Sequence, residues 1–236
     1  MGDQPGLERV AEGVWLVRGG TPRRMNVYLI EDGGRVTVFD AGIRTMAGQI
    51  LSAAARLGGI ERVVLGHSHV DHRGAAPFLG APVLCHRDER ADAESDGGMH
   101  YFEIAKLELP ARLVYPSLLR HWDGGPVPIA DTFEEGDRIA GFEVVHLPGH
   151  APGQVALWRR EDRLALTSDV FYTVDPRSGL RCSPQLPHDA FNLSRPGARR
   201  SLLKLAALEP AAAWPGHAHP LRSDVRAMLE AVAAAG

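Results

Sequence analysis

Residues 67–72 read His-Ser-His-Val-Asp-His, directly after the apolar run RVVLG at 62–66. In an extended segment, side chains at i and i+2 point the same way, so His67 and His69 can converge on one ion. If a helix begins at Asp71, then Asp71 and His72 leave its first turn toward the same region. Three imidazoles and a carboxylate within six residues is ligand chemistry suited to Zn(II), Fe(II) or Mn(II). At this chain's own His and Asp frequencies, such a string arises by chance roughly once per thousand chains of this length. A His-rich loop that binds nothing is therefore the weaker reading.

Three more candidates stand at the ends of apolar runs: His150 after FEVVHLPG, Asp169 after LALTS, and His217 after AAAWPG. Alone, each is a weak signal, because a Gly-His after a strand is usually a turn and an Asp there is usually a helix cap. Four strand ends carrying His or Asp are harder to dismiss, since loops at one end of a sheet scaffold converge in space. The other histidines, including His86, His121, His146, His188 and His219, have no motif that assigns them to chemistry.

The elements that must position these groups follow from hydrophobic periodicity. Strands are predicted at 10–17, 25–30 and 35–39, with a Gly-Gly-Thr-Pro turn at 19–22 and a hairpin at Glu31-Asp32-Gly33-Gly34. A helix is predicted over 44–57, closed by Gly58-Gly59. A strand at 62–65, a short helix at 71–79, a strand at 82–85 and a helix at 86–94 continue the alternation. Residues 95–128 are punctuated by Gly97-Gly98, Pro110, Pro116 and Gly124-Gly125, and read as an irregular, partly helical insertion. Strands at 138–146, 154–159 and 163–167 follow, then helices at 196–208 and 223–235 around an apolar run at 211–214. The expectation is one α/β or α+β domain over 1–236, in two similar halves with that insertion as a cap.

Composition narrows the function classes. The 236 residues carry 26 Lys+Arg against 29 Asp+Glu, so 26 − 29 = −3 with neutral histidines, and 44% are hydrophobic. That is globular composition, with enough apolar material for a substantial core. No long basic run marks a nucleic-acid binder. Two cysteines, Cys85 and Cys182, are too few for a disulfide scaffold and fit a reducing compartment. No run of 18 or more apolar residues suggests a membrane span, and the first residues lack a signal-peptide pattern. The expected setting is cytoplasmic, with no nucleic-acid or membrane partner. Oligomeric state is left open, a homodimer included.

The order HxHxDH, LPGHAPGQ, SD and PGH resembles the metallo-β-lactamase superfamily over nearly the whole chain, from about Glu12 to the last helix. The resemblance implies a four-layer αββα sandwich of two mixed sheets with metals at one edge. It implies that His67, His69 and His150 hold one ion, that Asp71, His72 and His217 hold a second, and that Asp169 bridges the two. Asp40, at the end of RVTVFDAG, matches the aspartate that orients ligands without binding metal; its competing role is N-cap of the following helix. Two divalent ions are expected, zinc first, with iron or manganese as alternatives.

The chemistry implied is hydrolysis of a small-molecule carbonyl substrate by a metal-bridging hydroxide. Asp71 is the candidate proton carrier. Tyr172 resembles the phenol of N-acyl-homoserine lactonases that hydrogen-bonds the substrate carbonyl, or is a packing aromatic beside Phe171. An Asp at position 169 argues against β-lactamase activity proper, and the chain has no room for the helical domain of glyoxalase II-type thioesterases. Lactone, ester or thioester hydrolysis remains, with glyoxalase II-like thioester and β-lactamase-like amide hydrolysis as alternatives. From another class, a non-catalytic metal-binding protein would keep the fold. His100, Tyr101 and Phe102 in the insertion are candidate substrate contacts.

Overall fold

The computed structural model describes residues 6–20, 24–175 and 180–235. The turn expected at 19–22 lies partly outside the described residues. The strands are β1 (Glu8–Ala11), β2 (Val14–Gly19), β3 (Met25–Asp32), β4 (Arg35–Phe39), β5 (Ile60–Val64), β6 (Val83–His86), β7 (Asp131–Phe133), β8 (Arg138–Ile139), β9 (Phe142–His146), β10 (Val155–Arg159), β11 (Leu164–Ser168), β12 (Tyr172–Val174), β13 (Arg181–Gln185) and β14 (Ala212–Pro215). The helices are α1 (Ala47–Ala55), α2 (Val70–Arg73), α3 (Arg90–Ala93), α4 (Ala111–Trp122), α5 (Arg195–Ala207) and α6 (Val225–Ala235). One sheet runs β1 to β7 in sequence order, a second runs β14-β11-β10-β9-β8, and β12 pairs with β13 as a separate ribbon.

Period-2 alternation sorts side chains into layers. In β2, Val14 and Leu16 face one way and Trp15 and Val17 the other; in β10, Val155 and Leu157 oppose Ala156 and Trp158. Val14, Leu16, Tyr28, Ile30, Phe39, Val144, Leu157, Leu166 and Trp214 meet between the two sheets. The outer face of the first sheet, with Val17, Val27, Leu29 and Val38, packs on Ile50, Ala53 and Ala54 of α1. The outer face of the second, with Val145, Ala156 and Trp158, packs on Leu202 and Leu205 of α5 and Leu229 of α6. Each of these fully buried leucines contributes about 1.5–3 kcal/mol of apolar burial. Three cores between four layers give the expected αββα sandwich. They also explain why the strands read as nearly continuous apolar runs, since both faces of each sheet are covered.

Strand direction then gathers the chemistry. β4 and β5 are parallel, as are β11 and β14, while β9 and β11 both run antiparallel to the β10 between them. Within each sheet, these C-terminal ends therefore share one edge. Asp40, His67, His150, Asp169 and His217 all follow those ends within four residues.

The structure divides two of the expected strands. The run 10–17 breaks at Glu12-Gly13 into β1 and β2. The run 138–146 turns at Ala140 and Gly141, both at positive φ (49° and 83°), into the β8–β9 hairpin; two such residues are the favoured two-residue hairpin turn. The short strands β7, β12 and β13 carry too little alternation to be read from sequence. Among the described residues, no helix is long and apolar enough to cross a membrane.

Candidate metal centre

The HxHxDH segment leaves β5 extended and enters α2 at Val70, so His67 and His69 project from the approach and Asp71 and His72 from the helix. One ligand-competent atom from each of His67, His69 and His150 lies within 4.8 Å of the others, and the same holds for Asp71, His72 and His217. His67, His69, His72, His150 and Asp169 are buried, and Asp71 and His217 are half-buried. Asp169 links the two groups through Oδ2, which lies 3.2 Å from His72 Nε2, 3.1 Å from His217 Nε2 and 3.7 Å from His150 Nε2.

The structure tests whether these residues fit a cation. His67 Nε2, His150 Nε2 and Asp169 Oδ1 are fully buried and have no hydrogen-bond partner. An unsatisfied buried polar atom costs about 1–3 kcal/mol. Three such atoms beside converging donors suit a divalent ion with nitrogen and oxygen ligands, so the donor set fits.

The far side of most of these groups is held. His67 Nδ1 lies 3.0 Å from Ser168 Oγ, His69 Nε2 2.7 Å from the Tyr101 hydroxyl, His150 Nδ1 2.8 Å from Asn192 Oδ1 and His72 Nδ1 2.9 Å from Asp40 Oδ2. Such partners fix which ring nitrogen faces the centre. Asp40 is buried and also accepts from Gly66 N–H and from the Ser168 hydroxyl, both at 2.8 Å. The following helix has no side-chain cap, so Asp40 is not an N-cap. Its φ of 59°, with 46° at Ser168, places two strained non-glycine residues behind the ligands, as functional sites commonly do. Close approach also requires glycine: a Cβ on Gly216 would stand 2.4 Å from Asp169 Oδ1, and one on Gly66 2.6 Å from Ser168 Cβ.

Electrostatics divides the centre. Burial, reinforced by neighbouring imidazoles, holds His67 and His69 well below the ordinary histidine range, and burial lowers His150 as well. Burial also disfavours a proton on His72 and His217, but Asp169, Asp71 and, for His72, Asp40 outweigh it. His72 is raised well above its ordinary value and His217 to about 9. Burial favours protonation of Asp71 and Asp169, yet His72 and His217 outweigh it, bringing Asp71 down to about 2 and Asp169 well below the carboxylate range. The carboxylates are thus charged and matched to positive charge.

A cavity of about 290 Å³ opens over this floor, with His69, Asp71, His150, Asp169 and His217 at its base. Its opposite wall is Phe102, Tyr115, Leu118, Leu119, Trp122 and Phe191. Most of that wall is α4 at 3–4 spacing, the inner face of the insertion. Buried Arg73, the residue after His72, anchors it, donating to the carbonyls of Asp92, Ala93 and Ser95 and pairing with Asp123 at the end of α4. Of the three insertion candidates, Phe102 lines the cavity, Tyr101 stands behind His69, and exposed His100 turns away to the half-buried Asp96, 3.2 Å off. Tyr172 also lines the cavity, and its hydroxyl donates to Asp169 Oδ2 at 3.0 Å. Its phenol is raised well above 10 by burial and then by Asp169.

Sequence reasoning expected the insertion, with Trp122, to cap the pocket, and missed Leu118 and Leu119 of α4, Asn192, Ser168 and Glu89. Glu89 is fully buried and accepts from Ser68 N–H and Gly153 N–H, both at 2.7 Å, tying the HxHxDH loop to the loop of His150. His86 and His146, which carry no motif, stack with ring centroids 4.1 Å apart outside this centre.

A family model for the Metallo-beta-lactamase superfamily matches residues 20–217. The probable metallo-hydrolase YqjP of Bacillus subtilis (strain 168) is 26% identical over 250 residues, 93% of this chain and 75% of its own. The acyl-coenzyme A thioesterase MBLAC2 of Gallus gallus is 27% identical over 164 residues, 63% of this chain and 58% of its own. The crystal structure of TTHA1623 in a di-iron-bound form superposes with a TM-score of 0.66 at 26% identity, covering 90% of this chain and 96% of that one.

Proposed function

The chain belongs to the metallo-beta-lactamase superfamily, and on that footing we propose that it is a dinuclear metal-dependent hydrolase of small carbonyl substrates: thioesters, esters or lactones. The observation that carries this reading is the set of unpartnered buried ligand atoms, His150 Nε2 and Asp169 Oδ1 on residues at the floor of a cavity whose facing wall is apolar, and His67 Nε2 in the layer beneath them. His67, His69 and His150 would hold one ion, Asp71, His72 and His217 the other, and Asp169 both. Two divalent ions supply Lewis acidity that polarises a carbonyl and brings the pKa of water toward neutrality. Zinc is the first expectation; iron, supported by the di-iron form of TTHA1623, and manganese suit the same donors.

The chain's own residues complete the reaction. Water adds to the carbonyl carbon, the bond from that carbon to sulfur or oxygen breaks, and the leaving atom takes a proton. Asp71, ionised and at the cavity floor, is placed to carry that proton. Tyr172 keeps its proton and can redirect it from Asp169 to a substrate carbonyl oxygen. The aromatic and leucine wall receives an apolar acyl group; the likeness to an acyl-coenzyme A thioesterase supports a thioester among the substrates.

Metal analysis of protein purified without added metal tests the premise. About two equivalents of zinc, iron or manganese per chain are expected, and near-zero content overturns the reading. A panel of thioesters, lactones, aryl esters and phosphodiesters tests the substrate class, which turnover of phosphodiesters alone would refute.

A further inference from the structure

A second cavity opens beside the first and shares two of its walls, Arg24 and Val174. The rest of its lining is Glu8, Arg18, Arg181, Ala218 and His219, around about 460 Å³, several times the volume of a phosphate group. The chain segment that carries His217 runs directly into it. Ala218 and His219 are the next two residues, at most ~7 Å of extended backbone from that candidate ligand.

The charge here departs from the rest of the molecule. Three arginines meet one glutamate, 3 − 1 = +2, in a chain whose formal total is −3. Glu8 is already engaged, because Arg18 Nε donates to it at 3.0 Å. Arg18 is held further through Nη1, which donates to the Asn26 side-chain oxygen at 3.1 Å and to the Ala218 carbonyl at 2.6 Å. Asn26 is itself buried and donates to the carbonyls of Pro215 and Ala218. One cation is thus fixed in place by β1, β3 and the carbonyl that follows His217. Among the described residues, neither Arg24 nor Arg181 has a carboxylate within ion-pair distance. Like charges gathered without a counter-ion repel one another, and an oxyanion held by their N–H forks relieves that repulsion with charge-assisted hydrogen bonds.

We propose that this cavity receives the anionic end of the substrate, a phosphate or carboxylate on the arm remote from the reacting carbonyl, with the dianionic phosphate favoured by two arginines that have no counter-ion among the described residues. The proposal rests on the reading that a carbonyl is hydrolysed in the adjoining cavity. It makes the substrate bipartite, with an apolar acyl part against α4 and an anionic leaving arm among Arg18, Arg24 and Arg181.

The test is calorimetric titration of the metal-containing protein with 4′-phosphopantetheine and with pantetheine, which differ by one phosphate. The phosphorylated compound is expected to bind about tenfold tighter or better, a preference that falls toward one in Arg24→Gln/Arg181→Gln. Arg181 is exposed, so Arg181→Gln alone gives a partial fall without threatening the fold. Equal affinities in the unaltered protein, with no arginine-dependent binding of glutathione, overturn the proposal. So does a preference that survives the double substitution, because the phosphate is then held elsewhere, at the metals for instance. Arginine-dependent binding of glutathione without a phosphate preference keeps the anion site and assigns it to a carboxylate. Binding is read without turnover, so a protein that shows the preference yet hydrolyses no thioester keeps this cavity and loses the proposed reaction.

Discussion

The two walls of the reaction cavity are built on different physical principles. The rear wall is polar and buried, and its imidazoles are held from behind: His67, His69, His72 and His150 each face the centre with one nitrogen while the other meets Ser168, Tyr101, Asp40 or Asn192. The front wall, Tyr115, Leu118, Leu119 and Trp122 on α4 with Phe102 and Phe191, is held by ring contacts such as Tyr115–Phe191 and Phe102–Phe191, each 5.2 Å between centroids, and by the Arg73 anchor. Hydrogen bonds are directional and apolar contacts are not. The rear wall can therefore fix positions to a fraction of an ångström, whereas the front wall fixes only shape and polarity. Substitutions behind the ligands should alter metal binding, and substitutions on α4 should alter substrate affinity alone.

The largest effect is expected at Asp40. Its carboxylate receives Gly66 N–H and the Ser168 hydroxyl and faces His72 Nδ1. In Asp40→Asn, one acceptor oxygen becomes an amide N–H₂ group that competes for His72 Nδ1 and disturbs its tautomer. Removing such a partner lowers metal affinity or activity about 10–100-fold. Competition with a chelator, read as metal retained per chain, checks this; affinity within twofold of the unaltered protein would remove Asp40 from the support of the centre.

The same division explains what the sequence made legible. The convergence of His67, His69, Asp71, His72, His150, Asp169 and His217 was readable because few side-chain types suit a metal and their backbone offsets are fixed by strand ends. Asp40 was readable only as one of two roles, and the hydrogen bonds of its oxygens decided between them. The front wall was readable only in part, as a cap made by the insertion with Phe102 among its contacts. Leu118 and Trp122 look like any amphipathic helix face, and which surface covers them depends on where the insertion folds back. His100 had the right chemistry but turns toward Asp96, because a three-residue 3₁₀ turn, Met99–Tyr101, sends successive side chains in different directions. Glu89 was hidden for a third reason: its partners are backbone N–H groups, which leave no trace in residue types.

Glu89 gives the intermediate effect. Burial pushes its carboxyl up to about 7, against the Ser68 and Gly153 donors that favour the ionised form, while an unfolded glutamate titrates near 4.5. The folded value lies above the unfolded one, so the protonated form favours the fold. That contribution is complete below pH 4.5 and is lost as pH rises through about 7. Glu89→Gln cannot titrate and has one accepting oxygen for two N–H groups, which costs about 1–3 kcal/mol when one is left unpaired. Urea unfolding from pH 4.5 to 7.5 should show the unaltered protein losing more stability across the range than the variant, so that the gap between them narrows as pH rises. Parallel curves would mean that Glu89 does not titrate there and that the rear wall holds it ionised throughout.

The smallest effect is expected on the front wall, at Leu118, which is half-buried and lines the cavity. Leu118→Ala removes apolar contact that an acyl group makes equally in the bound state and in the transition state. Binding lost equally from both raises KM and leaves kcat in place. With roughly 25 cal/mol per Å² of apolar surface and only part of the side chain in contact, the loss is about 1 kcal/mol or less, a severalfold rise in KM for a long-chain acyl thioester. A short acyl group that does not reach α4 should show no change. If kcat falls for both substrates while metal content is unchanged, α4 positions the reacting atoms, and the separation between a wall that orients and a wall that only receives does not hold.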